Sequence, residues 1–393
     1  MQAPASVFSQ ITSALFPSEF ARCVEQFPTQ RPTRGLTEYD HFLALCFGQL
    51  TYRESLRDIV GCLQAKWRWL YHLGFRGNLS RTSLAYANYH RDWRLFQAVA
   101  QVLMRRAARL YQDTPTDPDF PKVAFALDSS IISLSLNLFP WGYYARSKQA
   151  AVKLHLMLSL QGNLPAWATL TEAHFPDMKV LDQIPVAVGA YYVMDRGYLD
   201  FIRLYRVHQA GGFFVVRTKH HVKFRVTASR PVDKSTGLRC DQTMRLTSDW
   251  SIKSYPEVLR RIRVYDAENK VTLVLLTNQF HLPANIIAEL YRKRWQVELF
   301  FKWIKQHLRI RSFYGRSENA VRCQIWSAIG AYLMVAITKQ RLKIEKTLNE
   351  ILQIVSVSIF EQIPVEELLA EDGISAEQKV EETHIQNSFT FKD

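Results

Sequence analysis

From residue 122 the spacing of apolar residues changes from three and four to two, which limits the fold to a helical unit followed by a sheet-based one. Upstream, "TEYDHFLALCFGQLT", "RESLRDIVGCLQAKWRWLY" and, after a Gly/Asn break, "SRTSLAYANYHRDWRLFQAVAQVLMRRAARLY" carry apolar residues at helical intervals. They predict a helical domain over residues 1–115. "QDTPTDPDFP" (112–121), with three prolines, reads as the linker that ends it. "KVAFALDSSIISLSL", "AVKLHLMLSL" and "NLPAWATLTEA" then read as strands, the second turning Val152, Leu154, Leu156, Leu158 and Leu160 inward. "KVLDQIPV" suggests a helix or turn. "AYYVMD" is a short apolar strand ending on Asp195, and "RGYLDFIRLYRVHQAGG" opens as a helix. The expected class is α/β with a mixed sheet. "GFFVVRTK", "VKFRVTAS", "RRIRVYD" and "KVTLVLLTN" form a β-rich insertion over about 212–277, and the chain is helical again from "PANIIAELYRKRW" to about 343. A catalytic domain over 120–345 is expected, followed by C-terminal helices and an acidic tail over 346–393, Pro364 capping a second helix.

Charge narrows the partners. The chain of 393 residues carries a formal +14, but residues 361–393 hold nine Asp/Glu against Lys379 and Lys392, so the first 360 residues carry +21. Such a balance, with Trp, Tyr and Phe interleaved, points to a polyanion, nucleic acid first, and makes a small-molecule hydrolase the weakest reading. In the helical region Arg81, Arg91, Arg94, Arg105 and Arg106 are candidate DNA contacts. Five cysteines form no CxxC pair, and "HH" at 220–221 stands alone, so reduced, mostly buried thiols and no zinc site are expected. "IWSAIGAYLMVAITKQ" (325–340) is too short for a membrane span and reads as a buried helix. With no basic-then-apolar leader either, a cytoplasmic, soluble protein with no membrane partner is the expectation.

"YRKRWQVELFFKWIKQHLRIR" (291–311) carries seven Lys/Arg and one carboxylate, Glu298. At about 100° per residue, Tyr291, Arg294, Lys302, Lys305 and Arg309 fall within about 40° of Glu298, while Leu299, Phe300, Trp303 and Ile304 point away. An amphipathic helix with one acid inside a cationic stripe follows. Glu298 is either an i,i+4 partner of Arg294 and Lys302 or part of a metal cage. Asp128, inside a strand, and Asp195, at the end of another, are the other carboxylates that a mixed sheet could bring to it. Three carboxylates suit one or two Mg²⁺ ions, which favour hard oxygens and phosphate. Two such ions about 4 Å apart can activate a water or 3′-hydroxyl and stabilise the leaving oxygen of a phosphodiester. Arg294 and Lys305 would then hold phosphates beside them.

Asp128, Asp195 and Glu298, with Tyr291, Arg294, Glu298 and Lys305 spaced as Y-x2-R-x3-E-x6-K, resemble the DDE transposases of the insertion-sequence IS4 family. "FARCVEQF", "RESLRDIV", "AVKLHLMLSLQGNLP", "VMDRGYLDF" and "YGRSENAVRCQIW" extend the resemblance from about residue 5 to 345. The resemblance implies an RNase H-like core with a β-strand insertion between the second Asp and the Glu. It implies cut-and-paste chemistry: cleavage at terminal inverted repeats, hairpin formation and opening, and strand transfer into target DNA. Asp128, Asp195 and Glu298 would be the catalytic, metal-binding triad, taking Mg²⁺ with Mn²⁺ as a substitute. Tyr291, Arg294 and Lys305 would contact backbone near the scissile phosphate, with Lys302 and Arg196 as further DNA contacts. Trp250 is the candidate to stack on a flipped base. A homodimer pairing the two ends is implied too. The alternatives are an RNase H-like nuclease without strand transfer and an inactive, transposase-derived DNA-binding protein.

Overall fold

The computed structural model describes residues 5–29, 35–112, 119–135, 139–144, 149–218, 222–267, 270–307 and 313–370. The acidic tail beyond 370, most of the 112–121 linker and the 220–221 histidine pair lie outside the described residues.

The N-terminal region is helical: α1 (Val7–Thr12), α2 (Pro17–Gln26), α3 (Glu38–Leu50), α4 (Leu56–Ala65), α5 (Arg81–His90) and α6 (Trp93–Tyr111). Side-chain caps start most of them. Thr37 accepts from the Asp40 N–H while Asp40 returns a bond to the Thr37 N–H, and Ser55 and Ser80 cap α4 and α5. The run 81–111, read as one helix, is two. Asp92 caps α6 by accepting from the Arg94 N–H, which competes with helix continuation at that residue.

The sheet begins with β1 (Ala124–Leu134), β2 (Tyr143–Tyr144), β3 (Gln149–Ser159), β4 (Leu164–Glu172) and β5 (Tyr191–Met194), then α7 (Phe201–Gln209) and β6 (Phe213–Arg217). β1, β3 and β4 form an antiparallel meander, and β5 and β6 run parallel to β1. In the order β4-β3-β1-β5-β6 only β3 runs antiparallel to β1, which is the RNase H-like arrangement expected. The insertion begins later than about 212 and holds a strand and a helix that its pattern did not show: β7 (Phe224–Arg230), β8 (Leu238–Leu246), α8 (Asp249–Ser254), β9 (Leu259–Asp266) and β10 (Val271–Thr277). Its first anticipated strand, "GFFVVRTK", is β6, the edge of the core. β10 pairs antiparallel with that edge, giving one 10-stranded sheet. Adding strands to an edge satisfies backbone groups that would otherwise be exposed.

The chain closes with α9 (Ala284–Lys293), α10 (Trp295–His307), α11 (Glu318–Arg341), α12 (Leu348–Ser358) and α13 (Val365–Leu368). α11 is the packing centre. Its apolar stretch is long enough by composition to cross a membrane, yet 94% of it is buried inside the fold. It packs on α3, α5 and α6 and reaches β4, so the N-terminal helices share one core with the β1, β3 and β4 face, α10 and α12. Each fully buried Leu, Ile or Phe in such a core contributes about 1.5–3 kcal/mol. The C-terminal helices are folded back: Phe8 N–H donates to the Ile359 carbonyl and Val365 N–H to Gln10.

Polar groups pin this core. Arg91, expected at a DNA surface, is instead buried and donates to the Leu36 and Thr37 carbonyls. Its neighbours leave it no path to solvent, so the Arg serves the loop before α3. Asn319 on α11 donates to the Asn88 and Arg91 carbonyls, and Asn88 Oδ1 pairs with His41 Nε2 at 2.7 Å. Burial and nearby Arg91 push His41 down to about 3, and burial takes His155 on β3 down to about 4. Both stay neutral in the fold and bind protons on unfolding once the pH is below 6.5. Stability is therefore full above pH 6.5 and falls as pH drops through the window toward 3. His41→Gln should cost about 1–2 kcal/mol at pH 7.5 and flatten that decline, with His155 supplying what remains; urea denaturation across a pH series measures both.

Candidate active site

Strand pairing brings the two aspartates together. The parallel register of β1 and β5 runs from Ala124 opposite Tyr191 to Leu127 opposite Met194, so Asp128 and Asp195 are the next residues on adjacent strands. Alternation along β1 turns Asp128 to the same face as Ala126 and Ile132, where α10 packs. Asp195 closes β5 and caps a 3-10 turn, its Oδ1 accepting from the Gly197 N–H at 2.7 Å. A Cβ on Gly197 would stand 2.9 Å from that oxygen, so the close approach requires glycine.

The third acid arrives on a broken helix. Residues 291–311 are not continuous: at Arg294 the ladder tightens to i→i−3 bonds, Arg294 N–H to the Tyr291 carbonyl and Val297 N–H to the Arg294 carbonyl. Three residues per turn there shift the phase of α10 against α9. Within α10 the buried face is Val297, Phe300, Phe301 and Ile304, all to one side of Glu298, whereas Leu299, on the other flank of Glu298, is 43% exposed. Arg309 and the Trp303 side chain lie outside the described parts.

Arg294 joins the acids. Its Nη1 stands 3.1 Å from Asp128 Oδ2 and its Nη2 2.5 Å from Glu298 Oε1, both ion pairs half-shielded from solvent. Asp128 is pushed up to about 6, first by burial and further by Asp195 and Glu298, while Arg294 and the Ser129 N–H pull the other way. The acids are thus short of positive charge. Among the described residues no three His, Cys, Asp or Glu are placed to hold a metal ion, and the Arg294 guanidinium occupies the ground between Asp128 and Glu298. The donor chemistry nevertheless fits a hard divalent cation: carboxylate oxygens, and a buried Asp128 that a second cation would keep ionised.

The other anticipated residues divide. Lys302 is exposed and Lys305 half-buried, its pKa lowered by burial; both line a cleft of about 510 Å³ with Asp128, Ser129, Ser130 and Glu298. Tyr291 is buried beside Arg294. Arg196 is exposed and lines a second cleft, about 540 Å³, with Asp195, Arg217 and Arg261. Trp250 sits on α8, 59% exposed, and lines neither cleft. Sequence reasoning missed two residues. Trp295, next to Arg294, is 56% exposed at the start of α10, and only the helix break reveals its orientation. Asp177, in a 3-10 turn, accepts from the Ser129 hydroxyl at 2.6 Å; no local pattern marked it.

Comparison with known families decides the identity. The family described as "Transposase DDE domain" matches residues 119–334. The chain belongs to the DDE transposase family. Residues 4–76 match a domain of unknown function, DUF4372. Relatives include a Sinorhizobium fredii (strain NGR234) protein named as a transposase, y4zB, 34% identical over 60% of this chain and 66% of that one. Another, in Geobacillus stearothermophilus, is named as a transposase for insertion sequence element IS5377: 32% identical over 55% of this chain and 56% of that one. The matches thus span less than two thirds of these relatives' lengths. A piggyBac transposase synaptic complex with hairpin DNA is similar at TM-score 0.42 and 8% identity, over 98% of this chain and 88% of that one.

Removing Arg294 leaves Asp128 and Glu298 without their shared cation. Arg294→Met should cost about 2–3 kcal/mol in cation-free buffer. Thermal unfolding should show a larger gain in Tm on adding Mg²⁺ or Mn²⁺ than the wild type shows, because the added charge replaces the guanidinium.

Proposed function

We propose that this protein is the transposase of an insertion sequence, cutting DNA at terminal inverted repeats and joining the freed ends to target DNA. The observations that support the reading are the β1–β5 register, which makes Asp128 and Asp195 neighbours, and Arg294, which pairs with both Asp128 and Glu298, within a domain of the DDE transposase family. Those three residues would hold Mg²⁺, or Mn²⁺ in its place, as one or two ions. When bound, such ions supply Lewis-acid stabilisation of the phosphodiester and a more acidic nucleophile. The chain's own groups do the rest. Lys302 and Lys305 lie along the cleft that contains Asp128 and Glu298, where cations hold phosphate oxygens over the acids. Arg294 keeps the carboxylates ionised in the cation-free state and can turn to phosphate once its partners are neutralised. Arg196, Arg217 and Arg261 continue the positive lining on the other side of Asp195.

The cut-and-paste course through hairpin ends, the IS4 assignment with its Tyr291–Arg294–Glu298–Lys305 pattern, a homodimer in the synaptic state and action in the bacterial cytoplasm belong to the same proposal. For the flipped base of a hairpin, Trp295 is better placed than Trp250, being exposed beside Arg294. End recognition fits the helical region, proposed as a domain over 1–115. No Asp or Glu occurs from residue 59 to 91, and Trp67, Trp69, Tyr71, Tyr86 and Tyr89 are exposed there. Arg68 and Arg76 stack on Trp67 and Tyr71. Such a surface suits phosphates and sugars.

Excision from a plasmid carrying the gene's native flanking DNA, with Mg²⁺, tests the reading. Wild type should release the element with hairpin ends and Glu298→Gln should bind without cutting, a loss of at least about 100-fold. Nicking without joining would favour the nuclease, and binding without cleavage by both proteins the inactive DNA-binding form. Separately, Arg68→Ala and Arg81→Ala should each reduce the slope of log affinity against log salt by about one, read from end-binding gel shifts.

A further inference from the structure

We infer that Asp177 is a fourth acid of this site, a positioning residue whose negative charge, rather than its hydrogen bonds, raises the affinity of the Asp128–Asp195–Glu298 cluster for a divalent cation. The inference rests on the metal-site reading above.

Three contacts tie Asp177 to the other acids. Ser129 bridges to Asp128: its N–H donates to Asp128 Oδ1 at 2.8 Å and its hydroxyl to Asp177 Oδ1 at 2.6 Å. β1 alternation explains the geometry, since Asp128 faces α10 while Ser129 points to the opposite side, where the 3-10 turn at 177–182 lies. Gly197 marks the approach to Asp195. The position of a Cβ there is 2.9 Å from Asp195 Oδ1 and 3.8 Å from Asp177 Oδ2. Tyr198, buried on the same side, is held protonated mainly by burial, and Asp128, Asp177 and Asp195 all add to the effect.

Beneath Asp177 the fold has built a counter-charge. Lys153 on β3 is nearly buried, its Nζ 3.3 Å from Asp177 Oδ1 and 2.9 Å from the Phe175 carbonyl. His155, two residues on and fully buried, bonds through Nε2 to Thr171 Oγ1 at 2.9 Å. The Thr171 hydroxyl donates to the Glu172 carbonyl, so Nε2 is the donor in that bond. Nδ1 then carries only a lone pair, has no hydrogen-bond partner, and is fixed 3.7 Å from Asp177 Oδ1. A buried lone pair aimed at a carboxylate is unfavourable. Asparagine at 177 could accept from Ser129 and Lys153 through the same oxygen without adding charge beside three neighbouring acids, but it would leave the nearly buried Lys153 without a counter-charge. The carboxylate therefore brings a negative charge that the neighbouring acids also feel. Asp177 adds one negative charge beneath the three acids with Lys153 as its paired cation, while Arg294 is the one cation ion-paired to Asp128 and Glu298 among the described residues.

Opposite substitutions separate charge from architecture. Mn²⁺ binding to the full-length, DNA-free protein is measured by isothermal titration calorimetry for wild type, Asp177→Asn, Lys153→Gln and Asp128→Asn, with Tm and cation-free end binding alongside. Asp177→Asn should weaken Mn²⁺ binding at least about tenfold, the effect of one charge at this range in a partly buried site. Tm should fall modestly, because Lys153 loses its carboxylate but keeps the Phe175 carbonyl, and cation-free end binding should hardly change. Lys153→Gln should tighten Mn²⁺ binding, whereas damage to the fold would move both variants the same way. If Asp177→Asn binds Mn²⁺ like wild type while Asp128→Asn does not, the inference is overturned and the metal site stands. If Asp128→Asn also binds like wild type, the site reading itself fails. Should Lys153→Gln not fold, the Asp177→Asn comparison still decides.

Discussion

The parallel pairing of β1 with β5 is the constraint on which the site depends. A parallel pair cannot be closed by a tight turn, so the chain must travel through β3, β4 and a 3-10 turn before it can lay β5 beside β1. That detour serves two ends: the meander provides the face on which α10 and α11 pack, and the returning turn delivers Asp177. Register then does the chemistry's positioning, because a slip of one residue between β1 and β5 would turn Asp128 or Asp195 to the wrong face. The apolar pairs Ala126–Val193 and Leu127–Met194, buried on both sides of the sheet, hold that register against slippage.

Much of this was legible in the sequence, and the failures have local causes. The change of period at 122 located the sheet, and alternation in "AVKLHLMLSL" identified β3 correctly because that strand packs one continuous apolar face, Val152 to Leu158, into the main core. Asp128 and Asp195 could be singled out because each follows an apolar strand segment. β8 was not seen: "LRCDQTMRL" has too few apolar residues to alternate visibly, since much of it lies toward solvent. Leu299 was misassigned because the buried face was taken as everything opposite the cationic stripe, whereas α10 packs to one side of Glu298 only, on Val297, Phe300, Phe301 and Ile304. Arg91 shows the same limit. A buried arginine that serves two backbone carbonyls has the same letter as one that meets phosphate.

Asp177 belongs to a different class of omission. Nothing in "HFPDMKV" marks it, because its meaning lies in contacts with Ser129, Lys153 and His155, which are 48, 24 and 22 residues away or paired through the sheet. Contacts of that kind are set by topology. A sequence pattern reports what a residue's own element needs, and Asp177, at the start of a 3-10 turn, is bonded instead to distant strands.

A lone Glu in a cationic stripe has two readings, and the charge arrangement makes them compatible. Glu298 is an i,i+4 partner of Arg294 and also a member of the acid cluster, and the structure shows the first role directly. The roles are compatible because Arg294 also reaches Asp128. A guanidinium shared by two acids is a resident counter-ion. It offsets part of the burial that pushes Asp128 up to about 6 before any cation or DNA arrives. A divalent cation held by the same acids would supply the charge that Arg294 now supplies, and the planar fork of that arginine matches a phosphate as well as it matches a carboxylate. Under the proposed function, exchange of counter-ion and hold on the DNA backbone would then be coupled through one side chain.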